Sequence, residues 1–320
     1  MMPSIFIAPA GIRATSRVCY RTRAYSTKPE KVTLQKYLND PVKVTVIPIS
    51  DKDSFVYYKH TESLFNSQSR ILKTEKWIVE KSVKLWGKLK KSPKSYNKKI
   101  VSMVQSLLNS TPWSENSLLT IPSESYILKR IKGETDKAQE IRLTLKDYTV
   151  KAHKVDTQPL HIYYPAEISN PGECLKQMKR LYQDGLAYHK KWTLYCILGL
   201  PLTIPLILIP LIPNVPGFYL SYRAYVNIKA YLGAKHLKSL LENSNQQLEF
   251  KELQGYSDVY KRGNSSHPQG TQEGPKIAPK LLLNKQTLPL ILDFLKVHEL
   301  ESDLNKVIFQ KSKQQEEIKN

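Results

Sequence analysis

The sequence predicts an α+β fold: a small antiparallel sheet with amphipathic helices, then a proline-broken hydrophobic membrane helical hairpin, then a C-terminal helix. Three patterns carry that expectation. Val42, Val44 and Val46 alternate with Lys43 and Thr45, the period of a half-buried strand. From Ser69 the period becomes helical, with Leu72, Val79, Val83 and Trp86 on one side and Lys73, Lys76, Lys84 and Lys88 between them. Finally, Trp192 to Tyr222 are thirty-one consecutive residues without a charge, well beyond the roughly eighteen that mark a membrane-segment candidate.

The chain opens on an address. Residues 1–25 contain Arg13, Arg17, Arg21 and Arg23 and no acid, the first acid being Glu30. Arginine-rich, acid-poor composition is that of a mitochondrial transit peptide, whereas a secretory signal needs an unbroken apolar stretch. Arg23, Tyr25 and Ser26 mark the expected cleavage, after Tyr25. Removing the four arginines lowers the net charge from +21 to +17. A charge this large points to an anionic partner or surface. Three cysteines cannot build a disulfide framework, which fits a reducing compartment.

A strand hairpin is expected from Val42 to Lys59, because Ser50 to Asp53 has turn composition and Ser54 to Tyr58 is β-prone. Pro48 suits a strand end. The helix from Ser69 stops at Pro93, and a second apolar stripe (Ile100, Val101, Val104, Leu107, Leu108) runs to Pro112. A short helix after Pro122, a strand within 140–150 and another at Leu160 to Tyr164 complete an α+β matrix domain over 26–168. A helical membrane-associated region with its hydrophobic core at 192–222 occupies 169–250. Residues 251–283, rich in Gly, Pro, Ser and Gln, read as a flexible linker. Residues 284–320 read as an amphipathic helix packed on the body, with Leu290, Phe294, Val297, Leu304 and Ile308 in register.

Within the uncharged run, Pro201, Pro205, Pro210, Pro213 and Pro216 each delete a backbone donor and break or kink a helix. Asn214 and Gly217 are turn-prone. Two topologies fit: one strongly kinked span, or a re-entrant hairpin turning at Asn214. Lys176, Lys179, Arg180, Lys190 and Lys191 precede the run, and Arg223, Lys229, Lys235 and Lys238 follow it. Positive flanks at both ends favour the same side for both, hence the hairpin. Arm length argues the other way: about fifteen residues make roughly 22 Å of helix against a ~30 Å hydrocarbon layer. A hairpin reaching partway across reconciles the two.

The segment from His189 to Tyr231 resembles the mitochondrial K+/H+ exchange-related family. The residues that carry the resemblance are Gly199-Leu-Pro-Leu-Thr203, Ile212-Pro-Asn-Val-Pro216, Phe218-Tyr219 with Ser221-Tyr-Arg-Ala224, and the strand Ile162-Tyr-Tyr-Pro165. Length and leader suit a budding-yeast member. The resemblance implies a place in the mitochondrial inner membrane, with the bulk of the chain facing the matrix, and a part in potassium–proton exchange, with K+ and H+ as the ions concerned. The family supplies no catalytic motif to carry over.

An antiporter needs an ionisable group within the membrane, and the run from Trp192 to Tyr222 has none. A component or regulator of the exchange system, acting in a membrane-protein complex or homo-oligomer, is therefore the expected function, supporting matrix cation and volume homeostasis. Thr203, Asn214 and Arg223 are the positions best suited to function, together with the proline breaks and Gly217. Inner-membrane lipids, cardiolipin among them, are the expected contacts. The basic run from Lys90 to Lys99 reads as a solvated loop, and with no RNA-recognition motif beside it nucleic acid is not an expected partner. No metal-ligand spacing, phosphate loop or nucleophile motif occurs, so neither enzyme nor cofactor is expected. The alternative class is a membrane-anchored basic factor that tethers mitochondrial ribosomes or assists inner-membrane protein assembly.

Overall fold

The computed structural model describes residues 30–60, 70–124, 159–208, 215–242, 247–265 and 281–319. Its centre is a five-stranded sheet in the order β1-β5-β4-β2-β3. The strands are β1 (Glu30–Val32), β2 (Val42–Pro48), β3 (Ser54–His60), β4 (Leu160–Tyr164) and β5 (Leu248–Leu253). The expected strand hairpin is present, with Val46 opposite Val56. The expected antiparallel sheet is not: β1–β5, β5–β4 and β4–β2 all pair parallel. Parallel neighbours need a long crossover, and local periodicity carries no record of which distant strands pair.

The crossover from β4 to β5 is the helical hairpin itself. Helix α5 (Pro171–Gly199) leads out, a 3-10 segment (Pro201–Leu208) follows it, and α6 (Val215–Glu242) returns. Asn170 starts α5 firmly, its Oδ1 accepting from Glu173 N at 2.8 Å with Pro171 behind it. Val44, Val46, Ile162 and Tyr164 point from the sheet into one core with Met178, Leu181, Ala230, Ala234 and Leu237 of the hairpin. Residues one step along each strand point the other way, as the pleat requires. Ile47 and Tyr163 meet α7 (Tyr256–Ser265), α8 (Thr287–Leu295) and α9 (Glu301–Lys319) in the second core.

Two expectations need correction here. The hairpin is a crossover packed on the sheet, and among the described residues no helix is long and apolar enough to cross a membrane. The reason is visible in how the uncharged run is divided. Eight of its residues end α5, eight form the 3-10 segment, and eight open α6. Eight helical residues span about 12 Å, against the ~30 Å of a hydrocarbon layer. Pro201 and Pro205 forbid continuation of α5, and the remainder of both helices carries charge on its surface. Further on, residues 251–265, inside the span expected as linker, complete β5 and form α7, whose Tyr256, Val259 and Tyr260 are buried.

The N-terminal helices agree with the helical period: α2 (Arg70–Lys91) and α3 (Ser95–Asn109) stop and start around Pro93. A further helix, α4 (Trp113–Leu119), had no counterpart in the sequence reading, while α1 (Leu34–Asn39) lies beside the sheet. The expected short helix after Pro122 and strand within 140–150 fall largely or wholly outside the described residues, as does the transit peptide. The C-terminal region packs back on the body as expected, but in two helices. Lys296 adopts φ 54° and ψ 50°, ending α8; a 3-10 turn (His298–Leu300) leads into α9.

Candidate functional site

The hairpin ends in an apolar tip. Trp192, Leu194, Tyr195, Ile197 and Leu198 of α5, Leu202 and Ile204 of the 3-10 segment, and Phe218 and Tyr222 of α6 are all exposed, Leu202 to 80% and Phe218 to 70%. Nine large apolar or aromatic side chains turned to the outside within one stretch are uncommon on a protein surface and mark a contact face. The aromatic residues Tyr188, Trp192 and Tyr195 follow one another up α5, the first pair tilted and the second edge to face, with centroids 6.0 and 5.8 Å apart. The 3-10 conformation follows from the prolines. Thr203 Oγ1 donates to Leu200 O at 2.8 Å, tightening the turn that leaves α5.

Directly below the tip lies a buried polar cluster. Arg223 is the first charge after the uncharged run, and it is 7% exposed. Its Nη1 and Nη2 donate to the two carboxylate oxygens of Glu115 on α4, each at 2.7 Å. This fork-to-fork geometry is the strongest form of a charge-assisted pair. Burial works against the Arg223 charge, but the bonds to Glu115 outweigh it and hold its pKa above the ordinary value. Asn227, one turn further along α6, donates from Nδ2 to Arg223 O at 2.7 Å, and its Oδ1 faces His189 Nδ1 at 2.8 Å. With the amide oxygen as acceptor, His189 carries its proton on Nδ1. His189 is 1% exposed, and burial pushes its pKa below 6.5. Its Nδ1 stands 4.0 Å from Glu115 Oε2, so protonated His189 would lie beside the carboxylate that Arg223 holds.

Helix α4 is the wedge that makes the cluster possible. Ser117 Oγ donates to Val56 O at 2.8 Å and accepts from Val56 N at 3.0 Å, fixing α4 on β3. Lys306 of α9 donates to Thr111 Oγ1 at 2.6 Å at its other end. On α6, Gly233 leaves room for the backbone carbonyls of Leu118 and Ile121; a Cβ there would collide with both. Helix α4 therefore joins the sheet through Ser117, the hairpin through Glu115 and α9 through the Thr111 that precedes it.

A second polar group lies at the sheet's other face. Asp40 accepts from His161 Nδ1 at 2.6 Å and from Tyr163 Oη at 2.8 Å. Burial would raise the pKa of Asp40, but these bonds outweigh it and leave it lowered. Lys43 beside it has its pKa brought down by burial to about 8, and its Nζ lies 4.0 Å over the Tyr37 ring. These bonds attach α1 to the sheet and lie away from the tip. Among the described residues no group of three or more His, Cys, Asp or Glu could hold a metal ion.

The residues singled out from sequence fare differently. Pro201 and Pro205 build the 3-10 segment, and Thr203 bonds backbone within it. Pro216 and Gly217 lie in the first turn of α6, where Gly217 O accepts from Ser221 Oγ at 2.8 Å. Pro210, Pro213 and Asn214, and Arg23, Tyr25 and Ser26 of the expected cleavage, lie outside the described residues. Arg223 alone of the set belongs to the buried cluster. Its partners Glu115, His189 and Asn227 were missed. The Arg223–Asn227 spacing of four was a usable signal, since it stacks both on one helix face.

Comparison with known proteins places these features in a family. The family model described as mitochondrial K+-H+ exchange-related matches residues 43–241, from β2 to the end of α6, which includes all four residues of the buried cluster. An uncharacterized protein of Saccharomyces cerevisiae is 82% identical over 319 residues, covering 100% of both chains. An uncharacterized protein of Schizosaccharomyces pombe is 31% identical over 212 residues, covering 66% of this chain and 80% of its own. No solved structure matches the chain. Matched over more than half its length, this chain belongs to the mitochondrial K+-H+ exchange-related family.

Proposed function

We propose that the chain is a component or regulator of the mitochondrial inner-membrane potassium–proton exchange system, and that it rests on the matrix face of that membrane through the apolar hairpin tip. The observation that supports this most is the tip itself: an uncharged, aromatic-rimmed end on an otherwise basic protein. Aromatic side chains favour the interface between headgroups and hydrocarbon, and about 0.8 kcal/mol is gained per methylene withdrawn from water.

The proposal gives the chain a regulatory or assembly role rather than the ion path. Alternate binding of K+ and H+ needs a carboxylate that can be freed. Glu115 is the acid of the buried cluster below the tip, and Arg223 occupies both of its oxygens. The cluster is better suited to transmitting force: a displacement of the tip moves α5 and α6, and Glu115 carries it through α4 to the sheet. The protein on which it acts would be a membrane partner in the same complex, and the chain itself performs no chemical step.

The test is passive swelling of isolated mitochondria in potassium acetate, which requires proton-coupled potassium movement, with ammonium acetate as the control that does not. Loss of potassium-acetate swelling on removing the chain, restored by re-expression, is the expected result. Normal swelling without the chain would overturn the proposal and favour a ribosome-tethering role.

A further inference from the structure

Helix α2 carries a surface that none of the foregoing uses. At about 100° per residue, Lys73, Trp77, Lys81, Lys84, Lys88 and Lys91 fall within an arc of roughly 80°. All six are exposed, Trp77 to 60%. The stripe runs about 27 Å at 1.5 Å per residue. Lys81 Nζ stands 6.0 Å from the Trp77 ring centroid. Among the described residues none of the five lysines enters an ion pair. Glu80 flanks the arc. Glu75 falls on the opposite side, where it accepts from Tyr225 Oη at 2.7 Å and pairs with Lys229 Nζ at 2.9 Å. The tether to α6 thus lies one turn below the tip and turns the stripe outward.

A solvated helix face ordinarily mixes signs, because like charges three and four residues apart repel and cost helix stability. Here five cations share one stripe with no acid inside it. We propose that this stripe is a docking surface for an anionic phospholipid bilayer, with the lysines among the headgroup phosphates and Trp77 at the level of the interface. The inference rests on the reading of the hairpin tip as membrane-facing, and it adds the class of lipid. Lysine is a compact, hydrated point charge suited to a diffuse phosphate layer, whereas bidentate phosphate recognition in nucleic acid favours arginine. Of the seven basic residues from Lys73 to Lys91, every one is lysine.

The experiment is co-sedimentation of the full chain with phosphatidylcholine vesicles, with or without a minor fraction of cardiolipin, over a range of salt. The wild-type chain is expected to bind both and to prefer the anionic vesicles, a preference that salt removes. Lys81→Gln, Lys84→Gln and Lys88→Gln together are expected to reduce that preference on the order of 100-fold, at about tenfold or less per lysine, while binding to neutral vesicles is unchanged. Exposed glutamines keep helix propensity, and an unchanged melting curve verifies the fold. Retained preference in the triple variant would overturn the stripe as the site. Binding to neutral vesicles with no anionic preference in the wild type would overturn the stripe and leave the tip reading standing; binding to neither vesicle would overturn both. Tighter, lysine-dependent binding to an RNA oligomer than to vesicles would overturn the lipid assignment in favour of nucleic acid.

Discussion

Arg223 surrenders most of its hydration on entering the neck of the hairpin, and the two bonds to Glu115 are what compensate it. Removing one partner of such a pair strands the other charge in the interior, at a cost of about 3–5 kcal/mol, whereas replacing both by apolar side chains of similar volume is often neutral. Arg223→Ala is therefore expected to lower stability by about 3–5 kcal/mol in urea unfolding, and Glu115→Leu with Arg223→Met to recover most of that loss. A double variant as unstable as the single would show that the pair does more than balance charge. His189 gives the cluster a pH dependence. Below pH 6.5, its ordinary pKa, the unfolded chain takes up a proton that the buried ring resists. Its contribution is therefore complete above pH 6.5 and is lost as pH falls below it. Thermal melts from pH 7.5 to 5 should show the midpoint falling with acidity, and His189→Gln should flatten that slope; an unaltered slope would show that protonation of His189 is not the source. At this scale the sequence was partly legible. Arg223 stood out as the first charge after a long uncharged run, but Glu115 lies 108 residues earlier, and no window along the chain brings the two together.

Among the elements, those written in local periodicity were legible. Strand β2 reads from alternating valines, and α2 and α3 from stripes at helical spacing. Helix α7 carried the same kind of signal in Tyr256, Val259 and Tyr260, obscured by polar neighbours; the structure buries all three, with the hydroxyls of Tyr256 and Tyr260 donating to Val46 O and Pro48 O at 3.1 and 2.9 Å. The uncharged run misled in the length of its arms: the prolines suggest a span bent into two arms of about fifteen residues, but they divide it more finely. Hydrophobicity summed over thirty-one residues suggests a span, yet the described helices hold only eight of those residues each. The parallel pairings were not legible, because they follow from the crossover the helical hairpin makes. The break between α8 and α9 was also hidden, since an exposed lysine in the left-handed region leaves no mark in sequence. Lys296→Gly should relieve that backbone and stabilise the protein by about 0.5–1 kcal/mol, read as a rise in the unfolding midpoint; a fall would mean that the Lys296 side chain supports the turn more than its backbone strains it.

At the scale of the whole molecule, two surfaces stand out on one body: an apolar tip and a basic helix tethered one turn below it by Glu75. The net charge of +21 does not say where on the body the charge gathers; the structure places five lysines on one stripe of α2. The sheet supplies a rigid base, the hairpin projects from it, and α4 locks the two through Glu115. The proposed role has the folded chain support potassium–proton exchange through its tip. The most direct measurement is rescue of potassium-acetate swelling by a chain carrying Leu202→Ser and Phe218→Ser, two exposed side chains whose replacement leaves both cores intact. The variant is expected to melt as the wild type does and to reach the mitochondrion, but not to restore swelling. Full restoration by that variant would contradict a role for the tip.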